Sequence, residues 1–215
     1  MIKTDMIKTV IILSACLLYM GTSYGQINWN IHAGGGLSYF NDINFQSKRL
    51  GERFLGGPVF LAGASMSGSL VKETITEWEL GINIVNGGYY AVGLKIDEGG
   101  VSNGWDYAHK VSRRDWYVQI PASLSFNVFE GTGFLIGARM NYRFSSLRHP
   151  NFTYRKWIPA GHLGVFTRLT PRIRLDLTAF IDILAREQVK PHLAGHSSLD
   201  RRDMGATLNL RYTLK

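Results

Sequence analysis

The stretch Asp115–Ser145, DWYVQIPASLSFNVFEGTGFLIGARMNYRFS, alternates apolar and polar residues almost without a break. In its first half Trp116, Val118, Ile120, Ala122, Leu124, Phe126 and Val128 fall on one parity. Tyr117, Gln119, Pro121, Ser123, Ser125 and Asn127 fall on the other. After Phe129-Glu130-Gly131-Thr132 the pattern resumes, with Phe134, Ile136, Ala138, Met140, Tyr142 and Phe144 opposed to Gly133, Leu135, Gly137, Arg139, Asn141 and Arg143. A period of two is the signature of a strand, because successive side chains point to opposite faces of a sheet. Each half exceeds the usual length of about 5–6 residues and suffices for the roughly 9–11 tilted residues that cross a bilayer as a β-strand. Arginines recur on the polar parity and are absent from the apolar one. A membrane barrel requires that arrangement, since an Arg facing lipid at the midplane costs about 2–4 kcal/mol.

The same alternation marks further strands. Strand one covers about Ile27–Phe40, and its Gly34-Gly35-Gly36 predicts a bend or close packing. Strand two is expected at Pro58–Leu70 and strand three at Thr74–Asn86. Strand six follows at Trp157–Leu169, strand seven at about Ile173–Ile183 and strand eight at Asp203–Leu214. Four long connections, Asn41–Gly57, Gly87–Arg114 (part of which is expected to extend its hairpin), Ser146–Lys156 and Arg186–Arg202, alternate with three short turns near Val71-Lys72-Glu73, Glu130-Gly131 and Thr170-Pro171. That alternation is the rule of membrane barrels, with short turns and both termini on one side and long loops on the other. The expected fold is all-β: an eight-stranded antiparallel transmembrane up-and-down β-barrel. A secreted lipocalin-like barrel, apolar inside, is the structural rival.

The start of the chain fits export. Lys3 and Lys8 precede the apolar run Val10–Met20, and Ser23 and Gly25 supply small residues before Gln26. Residues 1–25 are expected to be a signal peptide and residues 26–215 the outer-membrane barrel domain. Leu13-Ser14-Ala15-Cys16 resembles a lipobox, but the apolar run continues past Cys16, which favours cleavage after Gly25. Cys16 is the only cysteine, so no disulfide framework is available. The formal net charge is +8. A basic chain suggests nucleic acid as a partner, but export argues against it and favours anionic lipid headgroups or surface polysaccharide.

Charges on the polar parity would share one interior: Glu77, Glu79, Arg139, Arg143, Arg168, Arg172, Arg174, Asp176, Asp182 and Arg211. Buried charges are tolerated only when paired, and both signs are present, so a structural charge network filling the lumen is expected. Aromatics near strand ends on the apolar parity (Trp29, Tyr39, Trp116, Phe126, Phe134, Phe144, Trp157 and Tyr212) would form interface girdles.

Within this hairpin, Tyr117-Val118-Gln119-Ile120-Pro121 followed by Leu124 resembles the Tyr-Leu-Glu-Ile-Pro-x-x-Leu-Lys strand of the small outer-membrane β-barrel proteins of Bacteroidetes (PorT-like and OmpX-like, outer membrane beta-barrel domain). Gly133-Phe134-Leu135-Ile136-Gly137-Ala138 is similar to the small-residue strand that follows there. Gln119 stands where the family has an acid and Ser125 where it has a lysine. The resemblance implies location and architecture, with accessory work for a protein secretion system as one specific version.

His192, His196 and Asp200 have a possible metal-ligand spacing, and His196, Ser198 and Asp200 could sketch a hydrolytic triad. Their loop context supports neither, and the chain is expected to be non-enzymatic, without metal or cofactor. His32 and His162 read as lumen filling. Arg53, Arg113, Arg114, Arg148, Arg155, Lys156, Arg201 and Arg202 fall in the long connections or at their strand edges, where they would face lipopolysaccharide. Expected partners are outer-membrane lipid, lipopolysaccharide and envelope or secretion-complex proteins. A small-solute porin and a lipid-modifying enzyme are the alternative functions.

Overall fold

In the computed structural model the alternating segments are long antiparallel strands, and residues 27–42, 52–69, 76–96, 102–105, 111–145, 152–184, 187–189 and 200–214 are described. The strands are β1 (Asn28–Asp42), β2 (Glu52–Ser69), β3 (Thr76–Ile96), β4 (Ser102–Trp105), β5 (Val111–Phe129) and β6 (Thr132–Ser145), then β7 (Phe152–Tyr154), β8 (Trp157–Arg168), β9 (Ile173–Asp182), β10 (Glu187–Val189) and β11 (Asp200–Leu214). Eight of them form the wall in the order β1-β2-β3-β5-β6-β8-β9-β11. β1 then pairs with β11 from Trp29↔Leu214 to Asp42↔Arg201, which closes the sheet on itself. Closure leaves the wall without an edge strand. The fold is a closed eight-stranded antiparallel barrel.

The glycine triplet of β1 explains how closure is achieved. Cβ atoms at Gly34 and Gly36 would lie 2.5 Å from the Leu208 carbonyl oxygen and 1.9 Å from the Ala206 carbonyl oxygen, respectively. The backbones of β1 and β11 therefore approach more closely than a side chain permits. The pairing of β1 runs through the triplet on both sides without a register shift, and the close approach at Gly34 and Gly36 makes close packing its role.

Side-chain polarity is reversed relative to a soluble barrel. Ile31, Leu37, Ile82, Ile136, Leu163, Leu177, Ile181, Leu208 and Leu210 are exposed on the outer wall, while Asn30, Ser65, Asn83, Gln119, Asn141, Arg143, Arg174, Asp182 and Arg211 are buried inside. On β1, β5 and β6 aromatics bound this belt at Trp29 and Tyr39, Trp116 and Phe126, and Phe134 and Phe144, ten positions apart on each strand. Ten residues extend about 33 Å along a strand. At the usual barrel tilt that height becomes about 25 Å, the height of a membrane-barrel belt.

Three short connections and both described termini lie at one end (the turn end), and the long connections lie at the other (the loop end). Gly131, at φ 75°, turns β5 into β6. At the loop end the strands run further than the apolar pattern indicates. β2 and β3 stay paired from Ser69↔Glu77 to Glu52↔Gly93, with a register shift between Gly56 and Val59. β3 and β5 pair as far as Ala91↔Val111. Much of the expected loops Asn41–Gly57 and Gly87–Arg114 is therefore strand. β4 pairs with β3, and β10 joins β7 to β11.

Candidate functional site

The alternation that puts apolar residues outside brings polar residues from all eight wall strands into one lumen, arranged in three layers. The lowest, toward the turn end, is ionic. Arg211 of β11 donates from Nη1 to Glu79 Oε2 of β3 at 2.6 Å, and Ser65 donates to Glu79 Oε1 at 2.6 Å. Arg174 of β9 holds Asp176 Oδ1 through Nε at 2.5 Å and lies 3.6 Å from Glu79 and 3.7 Å from Glu77. Arg168 of β8 pairs with Glu77. The Arg174 guanidinium also lies 4.5 Å from the Phe166 ring centroid. Every cation in this layer thus has a carboxylate partner, which offsets the several kcal/mol that burying an unpaired ion costs.

The middle layer is a chain of hydrogen bonds along the wall. His32 Nε2 lies 2.5 Å from Asn83 Oδ1, Asn83 donates to Gln119 Oε1 at 3.0 Å and Gln119 donates to Asn141 Oδ1 at 3.0 Å. Across the lumen Thr178 and Thr207 share a 2.7 Å hydroxyl contact, and the Arg139 guanidinium lies 3.8 Å from the Phe180 ring centroid. Between these groups, with His162, lies a cavity of ≈ 70 Å³. It has room for a few waters, far below the roughly 300–1,000 Å³ of pockets that take drug-sized ligands.

The upper layer, toward the loop end, sets an apolar cluster beside buried Asp115, Arg143, Asp182 and Asp203. Val59, Leu61, Val85, Tyr117 and Ile158 cluster there in the lumen. Tyr117 donates its hydroxyl to Asp115 at 3.1 Å, and Arg143 pairs with the same carboxylate. Asp182 accepts the backbone amide of Asp203 at 3.1 Å.

Of the residues expected inside, Glu77, Glu79, Arg139, Arg143, Arg168, Arg174, Asp176, Asp182 and Arg211 all face the lumen. Arg172 does not: it is exposed in the short turn between β8 and β9. The reason is that the β9 strand starts only at Ile173, so parity does not govern Arg172. Asp115 and Asp203, each at the boundary of its expected strand, are also buried in the lumen. Asp115 shares the parity of Tyr117 and Gln119, and that signal points it inward. The apolar cluster was also missed, because Val59, Leu61 and Val85 interrupt the polar parity.

Of the expected lipopolysaccharide-facing cations, Arg114, Arg155 and Lys156 are exposed and Arg202 is half-buried. Arg53, Arg113 and Arg201 lie in strands whose backbone alone is described there, and Arg148 lies outside the described residues. The signal segment, Cys16, His192, His196 and Ser198 also lie outside them.

The fold and lumen together define a closed, small β-barrel with an apolar exterior and a filled, charged interior. No protein-family model matches the chain, and no characterised protein matches it in sequence. Among solved structures it is similar to Neisserial surface protein A (NspA), at 10% identity and TM-score 0.48 over 86% of this chain and 96% of that one. It is also similar to the outer membrane protein OprG from Pseudomonas aeruginosa, at 10% identity and TM-score 0.40 over 88% and 97%. A third is the outer membrane protein AlkL, at 15% identity and TM-score 0.43 over 89% and 92%. At those scores none of them bears on what this chain does.

Proposed function

We propose that this chain is an integral outer-membrane β-barrel with a side-chain-filled lumen, exported through a signal peptide, whose role in the cell envelope is structural or interactive rather than enzymatic. The observation that carries the reading is the reversed polarity: a belt of exposed Ile, Leu and aromatic side chains around a lumen of paired charges. An apolar belt of that height is costly in water and matched to a bilayer, and closed barrels are one of only two backbone architectures that satisfy every amide within lipid. The loop-end cations then face lipopolysaccharide. Accessory work for a protein secretion system, as the resemblance to PorT-like proteins implies, is the specific version of the interaction role.

The test is outer-membrane fractionation combined with gel mobility before and after boiling. A heat-dependent shift in the outer-membrane fraction is the expected result. A soluble periplasmic protein without a shift overturns the reading and puts a secreted ligand-binding barrel first. A small-solute pore remains the alternative, and the layered lumen argues against it, since an ionic layer and an apolar cluster both cross the conduction path.

A further inference from the structure

The two sides of the loop end are built differently. On β2, β3 and β5 the ladder continues upward, to Glu52↔Gly93 and Ala91↔Val111, with a register shift between Gly56 and Val59. On β8, β9 and β11 it breaks. β7 continues β8 upward and β10 continues β9, and these two short strands pair with each other at Tyr154↔Glu187. Between that pair and Ala160↔Asp182 lie five residues on one strand (155–159) and four on the other (183–186). The slip against β11 is larger. Between Ile181↔Met204 and Glu187↔Arg201 lie five residues on the β9–β10 side (182–186) and two on β11 (202–203).

The break is a joint with a fixed base. Arg155 and Lys156 lie outside the strands between β7 and β8, and Ile183 and Leu184 form a bend between β9 and β10. Below them Ile158 and Ala160 are buried, and the Ile183 amide donates to the Pro159 carbonyl at 2.8 Å. Within the interrupted stretch the Asp182 carboxylate accepts the Asp203 amide at 3.1 Å, so a side chain stands in for a ladder bond. Above the joint the β7–β10 hairpin joins the wall through Glu187↔Arg201 and Gln188↔Asp200. On its other flank β6 pairs with β8 as far as Tyr142↔Trp157, and the Arg143 amide donates to the Lys156 carbonyl at 2.8 Å. Among the described residues β7 has no strand partner on that side.

We propose that the β7–β10 hairpin is a flap, hinged at Arg155-Lys156 and Ile183-Leu184, that docks on and leaves the loop-end edge of β11. Paired strands open as cooperative units, so a ladder interrupted on both flanks at one level divides the wall into two such units. The lower unit, β8 with β9, is paired to its neighbours on both sides and opens only with the barrel. The upper unit is held to the wall by two residue pairs. Its hinge lies at strand ends, the positions that absorb backbone rotation most readily. Docked, the flap covers the edge of β11. Released, it leaves the Asp200 and Arg201 backbones open on one side, an edge that can pair with an extended strand of another protein. The inference rests on strand pairing and does not depend on what the outer wall faces.

The test is hydrogen exchange on the purified, folded barrel, read by mass spectrometry on peptides covering β7 and β10 against peptides covering β8 and β9. A variant Glu187→Cys, Arg201→Cys, with Cys16→Ser, is compared oxidised and reduced. Directly opposed cross-strand Cα atoms lie about 4.5–5.5 Å apart, within disulfide reach. In the unaltered protein the β7 and β10 amides are expected to exchange about 100-fold faster than those of β8 and β9. Oxidation is expected to slow them by about tenfold or more and to leave β8 and β9 unchanged. Unboiled gels check that both redox states are folded. β7 and β10 amides as protected as those of β8 in the unaltered protein overturn the flap, since no separate unit would then open. So does fast exchange that oxidation leaves fast, which would mean that the hairpin does not dock on β11. A slowing shared equally by β8 and β9 overturns the hinge, because the two units would then be one.

Discussion

Arg211 on β11 and Glu79 on β3 meet at 2.6 Å, although β1 and β2 stand between their strands on the barrel wall. Only a lumen narrow enough for side chains to cross it allows that contact. Glu79 also lies 3.6 Å from Arg174, so Glu79→Gln leaves two guanidinium groups short of a partner. Removing one member of a buried pair costs about 3–5 kcal/mol, whereas replacing both members by apolar groups is often nearly neutral. We expect Glu79→Gln and Arg211→Met each to lower the urea midpoint of the lipid-reconstituted barrel substantially. The double variant Glu79→Leu, Arg211→Met is expected to recover much of the loss. A double variant as unstable as the sum of the singles would show that the two residues do not act as a pair.

The two obstructions in the lumen have different chemistry and lie at different heights, which makes conductance a test with separable arms. In planar bilayers the unaltered protein is expected to show no stepwise conductance. Removing the ionic layer alone (Glu77→Ser, Glu79→Ser, Arg168→Ser, Arg174→Ser, Asp176→Ser, Arg211→Ser) leaves Val59, Leu61, Val85, Tyr117 and Ile158 in place. Apolar constrictions block ions by dewetting, so that variant should stay silent as well. Channels should appear only when Leu61→Ser, Val85→Ser and Ile158→Ser are added. Conductance in the unaltered protein would favour the porin alternative.

Adjacent glycines on β1 should respond in opposite ways. A Cβ at Gly36 would lie 1.9 Å from the Ala206 carbonyl oxygen, while one at Gly35 would meet the Val59 carbonyl oxygen at an ordinary 3.5 Å. Gly36→Ala forces the seam between β1 and β11 apart and should reduce refolding yield sharply. Gly35→Ala adds only outward apolar surface and should refold as the unaltered chain does. Equal behaviour of the two, read as the folded fraction on unboiled gels, would mean that the seam is looser than described.

At the turn between β5 and β6, Gly131 adopts φ 75°, a left-handed conformation that costs a residue with a Cβ about 1–2 kcal/mol. Gly131→Ala is expected to lower stability by about that amount without altering the fold. The check is the urea midpoint of the reconstituted barrel. A loss well above 2 kcal/mol would point to a steric clash, yet a Cβ there meets only Arg168 atoms, at 3.6 Å.

Much of this architecture is legible in the chain because one physical pattern governs it. Where a strand has lipid on one side and paired charges on the other, every second residue reports its face, and Trp116 through Phe144 could be assigned without coordinates. The pattern fails where that contrast ends. β2 continues above Val59 and β3 above Gly87, past the stretch in which the alternation bounds them. Their extension to Glu52 and Ile96 has no sharp limit in the sequence, although part of Gly87–Arg114 reads as a continuation of its hairpin. Arg172 misled for the complementary reason: parity was extended past the strand into a turn. The lumen network was legible only as a set of residues. Periodicity says that Glu79, Arg174 and Arg211 share an interior, but their meeting depends on closure between β1 and β11, a contact between the two ends of the chain that no local pattern encodes. The apolar cluster of Val59, Leu61 and Val85 was hidden because an inward leucine in a charged lumen looks like noise in the alternation.

The direction in which the barrel faces can be measured directly, and that measurement separates a membrane barrel from a secreted one. Trp116 and Trp157 point outward and are exposed, whereas Phe166 points inward and is only 2% exposed. In bilayers whose acyl chains carry bromine, a single-tryptophan protein that retains Trp116 or Trp157 should lose much of its fluorescence, because bromine quenches only at contact range. A single-tryptophan protein made with Phe166→Trp should be protected, with its indole packed beside Arg174 inside the wall. Both rings lie in the same closed sheet, so a difference between them reports the face and not the depth of insertion alone. If both were protected while the protein remained folded, the apolar belt would not be in lipid, and the exposed Ile, Leu and aromatic residues would need a protein partner to cover them.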